Sequence, residues 1–158
     1  MTLKRQLHQA LAGCPQFSTG HHELAVDEAD QRLRCDLVAL DNLACSFEEL
    51  NLTSDKLRAA TIDQLKLIAQ QLSARLTYLL EPISPIETDS AGCVVQMRSS
   101  PPQKGEDGTS YYELLVGRDG SLSLRRYLRP AGQLRMITAA HVTREVLLRL
   151  ADDFGAVA

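Results

Sequence analysis

The chain has 158 residues, of which 44% are apolar and 23% charged, and its net charge is −3. That length buries roughly 68–70% of the unfolded chain's surface in a single domain, without a metal or disulfide staple. No apolar run approaches the roughly 20 residues of a membrane helix, and the residues after Met1 lack a signal-peptide pattern, so the expectation is one cytoplasmic domain over 1–158.

Acidity argues against nucleic acid as the default partner, since phosphate binding rests on Lys and Arg. The charge is uneven: residues 1–92 hold 8 basic and 13 acidic side chains, residues 93–158 hold 9 and 7. Cys14, Cys35, Cys45 and Cys93 form no C-x-x-C pair, which predicts four reduced thiols.

In chain order, Leu3, Leu7, Ala10 and Leu11 fall at helical spacing behind Thr2 as cap, and Gly13 and Pro15 end the helix. A polar stretch over 16–31 holds a short edge strand at Glu23–Val26. Leu33, Cys35, Leu37 and Ala39 then alternate with polar residues, as do Leu43, Cys45 and Phe47, which predicts a hairpin. A three-residue loop, Leu40-Asp41-Asn42, sets Leu37 opposite Cys45 and Cys35 opposite Phe47. The phase change at Glu48-Glu49 predicts a bulge. Ser54 and Asp55 open a helical turn. Thr61 and Gln64 have capping-box spacing ahead of a helix carrying Leu65, Ile68, Leu72, Leu76 and Leu79.

The prolines of Glu81–Glu87 turn the chain into a connector or edge strand. Cys93, Val95 and Met97 mark a strand, and residues 99–110 a mobile loop. Tyr111–Val116 and Leu122–Arg129 flank Gly117-Arg118-Asp119-Gly120, a hairpin signal. Leu134–Ile137 adds a further strand. Thr138 caps a last helix with Val142, Val146, Leu147, Leu150 and Phe154 on one face, stopped by Gly155. The fold class is therefore α+β: an antiparallel sheet of five to seven strands packed by N-terminal, central and C-terminal helices.

Chemistry-bearing patterns are sparse. Phosphate-binding glycine loops are absent. Cys14 with His21 or His22 is the one candidate thiol site, but the negative dipole end of the helix beside Cys14 is no help to the thiolate that a nucleophile needs. His8, His21, His22 and Cys14, with Glu23 or Asp27, are possible metal ligands, yet adjacent histidines on a strand point apart. Glu48 and Glu49 beside the bulge are the one candidate acid–base pair. The strongest surface pattern is a sheet face of Tyr112, Arg125, Tyr127 and Arg129, of the aromatic and arginine type that takes single-stranded nucleic acid. Packing of the tyrosines beneath arginine stems is the competing reading.

No catalytic set, cofactor or metal is expected. The order of elements resembles that of the small acidic chaperones of type III secretion, a likeness of order, size and acidity to which no residue motif contributes. The resemblance implies a dimer that binds an extended partner segment. The expected function is accordingly a non-catalytic protein-interaction or assembly module, possibly homodimeric. The alternatives are a small-ligand protein or enzyme with an unfamiliar site, and a nucleic-acid binder through the Tyr112 face.

Overall fold

The computed structural model describes residues 2–158. Its elements run α1 (Leu3–Ala12), β1 (His22–Glu28), β2 (Gln31–Leu40), β3 (Ala44–Thr53), α2 (Asp55–Ala59), α3 (Ile62–Arg75), β4 (Ile83–Asp89), β5 (Val94–Ser99), β6 (Gln103–Gly105), β7 (Gly108–Val116), β8 (Ser121–Arg129), β9 (Met136–Thr138), β10 (Ala140–Thr143) and α4 (Arg144–Val157). The antiparallel sheet has strand order β1-β2-β3-β8-β7-β5-β4, with β10 beside β3, β6 beside β7 and β9 beside β8. Among the described residues no helix is long and apolar enough to cross a membrane.

Register sorts the side chains into two faces. Leu24, Cys35, Leu50, Leu124, Leu114 and Met97 follow one another across six strands, and Val26, Leu33, Leu52, Leu122, Val116 and Val95 form the next row. Both rows join the helix residues Leu3, Leu7, Leu65, Leu72, Leu147, Leu150 and Phe154 in one core cluster. The period-2 pattern of the strands thus meets the 3.6 pattern of the helices on one side of the sheet and leaves the other side open.

The helix starts follow their caps. The Thr2 hydroxyl accepts from Arg5 N, Ser54 caps α2, and Thr61 with Gln64 closes the full capping box of α3. Helix α3 stops at Arg75, four residues short of Leu79. Leu76 and Leu79 are nonetheless buried, so the apolar repeat continues into the loop that leads to β4.

Three expectations are corrected. The β2–β3 turn is Asp41-Asn42-Leu43: Asp41 Oδ1 accepts from Leu43 N and Ala44 N, each at 2.8 Å, which sets Leu40 opposite Cys45 and leaves Leu43 79% exposed. Cys35 then lies opposite Leu50, and Leu37 opposite Phe47. The bulge at Glu48 is present, since Asp36 pairs with Glu49 and Leu37 with Phe47. A second irregularity at Val38 restores the register. The last helix begins five residues later than expected, behind Thr143, because Met136–Thr138 and Ala140–Thr143 are spent as strands; it also runs through Gly155 to Val157. Within residues 99–110, Gln103–Gly105 folds back on Gly108–Ser110 as a hairpin.

The bulge has a topological effect. Residues 50–53 of β3 pair with β8, whereas residues 44–47 pair with β10; β8 in turn takes β9 along residues 126–128. The sheet splits at Glu48-Glu49, and β9–β10 fill the gap.

Candidate functional site on the open sheet face

Glu49, Arg125, Glu113 and Arg98 form an alternating row of charge across four strands of the open face. Arg125 Nε donates to Glu49 Oε2 at 2.7 Å and Ser123 Oγ donates to the same oxygen at 3.0 Å. Glu113 accepts from Gln96 Nε2 at 3.0 Å, Arg98 Nη2 at 3.3 Å and Arg135 Nη1 at 2.6 Å. Only 4% of Glu113 is exposed, and its burial pushes the carboxyl pKa up. The donors from Arg135, Gln96 and Arg98 outweigh that push and hold it below the ordinary carboxylate value. Burial likewise works against the Arg125 cation, but Tyr127 and Glu49 more than offset it, so its pKa is raised.

An aromatic layer runs beside the charges. The Tyr111 and Tyr127 rings lie 6.1 Å apart; Arg98 sits 4.5 Å over Tyr111 and Arg135 sits 3.9 Å over Tyr127. Arg135 comes from the chain between β8 and β9, and folds onto the sheet through Glu113, the Tyr111 hydroxyl and the Tyr127 ring.

Of the four sequence-predicted face residues, the structure brings together Arg125 and Tyr127 on the open face, with Arg129 exposed at the end of the same strand. Tyr112 is a correction. Tyr111, not Tyr112, pairs with Tyr127, and Tyr112 pairs with Arg126 on the helix-covered side. A slip of one residue in the assumed hairpin register moved it across the sheet. There Arg126 lies 4.6 Å over the Tyr112 ring and bonds Glu81 Oε2 at 2.9 Å, while Glu81 Oε1 accepts from Ser99 Oγ. This group borders a cleft of about 450 Å3 walled by Leu79, Leu80 and Pro101.

The other candidates scatter. The Cys14 thiol contacts the carbonyl of Pro15, and the His22 ring lies 6.3 Å from that of Phe17. His21 alone meets acidic partners: Nδ1 is 3.2 Å from Asp36 Oδ1 and Nε2 is 4.0 Å from Glu48 Oε1. One donor atom from each of these residues falls within 4.8 Å of the others, a spacing compatible with a metal ion. All three are partly open to solvent, however, and opposite ring nitrogens face the two acids. The bulge separates Glu48 from Glu49, one facing His21 and the other Arg125, so they form no acid–base pair.

Sequence reasoning missed Arg135, Glu113 and the pair formed by Ser46 Oγ and His141 Nδ1 at 2.6 Å, which face each other across β3 and β10. Among the described residues the far nitrogen of His141 meets no carboxylate, so the pair lacks the third group that orients a catalytic base. Cys35 and Cys45 are buried free thiols; desolvation pushes both up, Cys45 to about 11, away from the thiolate that a nucleophile needs.

A scan against models of known protein families, a search of curated proteins and a search of solved structures each found no match.

Proposed function

We propose that this chain is a non-catalytic protein-interaction module that works in the cytoplasm as a homodimer. The observation that carries the reading is the free outer edge of β4. That strand ends the sheet, no described strand pairs its outer side, and Ile86 is 50% exposed along it. Leu80, 96% exposed, stands just before it, and clefts of about 450 and 590 Å3 flank it, walled in part by Leu79, Leu80, Pro101, Pro102 and Pro130. An unpaired strand with apolar side chains on its rim is a template for a further strand. A second copy supplies one by a two-fold contact.

The chemistry elsewhere supports the non-catalytic part of the reading. The carboxylate of Glu113 is held ionised, the two core thiols are held neutral, and Arg98, Arg125 and Arg135 are each bonded to a carboxylate. Arginines neutralised in this way, with two of them already stacked on the tyrosines, weigh against single-stranded nucleic acid as the occupant.

Native mass spectrometry of the untagged chain, with light scattering over a range of concentrations, tests the proposal. The expected result is a dimer whose dissociation is promoted by Ile86→Lys and Leu80→Lys without loss of melting temperature. A monomer at every concentration, or a dimer indifferent to both substitutions, overturns it.

A further inference from the structure

A cleft of about 590 Å3 crosses the open face from Ile86 on β4 to Arg129 on β8, with Arg98 of β5 and Thr109 of β7 between them. Ile86, Pro102, Pro130 and Ala131 give it apolar walls. The wall at Pro130 is held in a turn, in which Gln133 N donates to the Pro130 carbonyl at 3.1 Å.

Every charge in the lining is positive. Arg98 and Arg129 are its charged residues, and Glu106 and Asp107, in the turn after β6, line no part of it. Arg129 is exposed and meets no carboxylate among the described residues. Arg98 does bond Glu113, at 3.3 Å, but Arg135 holds the same carboxylate at 2.6 Å. Two guanidiniums share that one negative charge, so the pairing does not cancel the positive sign of the cleft.

We infer that this cleft binds a monocarboxylate with a short apolar body, the carboxylate on Arg129 and the body against Ile86, Pro102 and Pro130. The guanidinium fork of Arg129 matches a carboxylate through two parallel hydrogen bonds. The hydroxyls of Ser100 and Thr109 also line the cleft and can donate to lone pairs that the fork leaves over. A cation finds no partner in such a lining. A neutral apolar ligand would take Arg129 out of water without pairing it, which costs free energy. A bare inorganic anion would leave the apolar walls wet. The volume falls within the roughly 300–1,000 Å3 of small-molecule sites. The inference goes beyond the interaction role and does not rest on it, since Arg129 stands three strands in from the β4 edge.

Amide NMR titrations of the full chain with hexanoate and benzoate test the inference, with hexanol and inorganic phosphate as controls for body and charge. At least one carboxylate is expected to shift the amides of residues 98–100, 109–111 and 131–133 saturably below about 10 mM, and more weakly as salt is raised. Arg129→Gln, at an exposed side chain, is expected to melt with the parent and to bind at least about tenfold more weakly. Arg129→Lys, which keeps the charge but not the fork, should fall between them. The inference is overturned if neither carboxylate saturates, if hexanol or phosphate shifts the same amides with equal affinity, or if Arg129→Gln binds as the parent does. Carboxylate binding by a chain that stays monomeric supports this inference while overturning the dimer.

Discussion

Arg135 Nη1 lies 2.6 Å from Glu113 Oε2, and this bond ties the segment between β8 and β9 to the middle of the open sheet face. Two further groups, Arg98 and Gln96, converge on the same carboxylate. Glu113 therefore gathers three donors on that face, beside the Arg125–Glu49 pair.

The pH dependence follows from the direction of the Glu113 shift. Its folded pKa lies below the ordinary value of 4.5, so the ionised carboxylate adds stability above that value and loses it as pH falls through the folded pKa. Glu113→Gln leaves two arginines without their acceptor and is expected to cost about 2 kcal/mol near neutral pH, the arginines' partial exposure keeping the cost below that of a fully buried pair. In urea unfolding, the gap between parent and variant should narrow as pH falls below 4.5 and through the folded pKa. A gap that stays constant over that range contradicts the assignment.

Thiol chemistry separates the four cysteines into two pairs. Cys14 and Cys93 are partly exposed, whereas Cys35 and Cys45 are buried with raised pKa values. A disulfide reagent at about pH 8 should titrate two thiols of the native chain at least about a hundredfold faster than the other two, and all four together after unfolding. Equal reaction of all four in the native state would show that the sheet opens far more readily than its packing implies.

Tyr78 and Asp153 lock the end of α3 to α4. The Tyr78 hydroxyl donates to Asp153 Oδ2 at 2.6 Å, Arg75 bonds the other oxygen, and Arg149 lies 4.1 Å over the Tyr78 ring. Asp153→Ala removes the acceptor from a partly buried hydroxyl and should cost about 1–3 kcal/mol. For a chain of this length that lowers the melting point by roughly 2–4 °C per kcal/mol, which calorimetry resolves.

Gly117 carries both a conformational and a steric demand. Its φ is +97°, and a Cβ there would fall 2.3 Å from Leu65 Cδ1 and 3.1 Å from the Cys93 carbonyl oxygen. Gly117→Ala should destabilise by about 2–4 kcal/mol, the sum of the backbone and overpacking costs. A loss below about 0.5 kcal/mol would mean that the β7–β8 turn relaxes away from α3.

Much of the fold was legible because its signals are local. The alternation through Leu33, Cys35 and Leu37, the Thr61–Gln64 capping box, and Asp119-Gly120 between two strands each act within a few residues. What failed was register. Asp41 caps its own turn and shifts the first hairpin, and the assumed pairing of Tyr112 with Tyr127 was one residue off, which sufficed to exchange the faces of the sheet. The strand expected at Leu134–Ile137 runs over Met136–Thr138, but the four residues Ala140–Thr143 show no period, so Thr138 passed for a helix cap although Thr143 holds that place. The site was harder still. Arg135 meets Glu113 across 22 positions, and no spacing rule encodes that contact.

The two irregularities of the β2–β3 hairpin cancel, so the strands are in the same register on both sides of the interruption. Each extra residue can therefore be removed on its own. Deleting Glu48 alone would set Phe47 and Leu50 two residues apart with both still facing inwards, and deleting Val38 as well would yield an unbroken ladder.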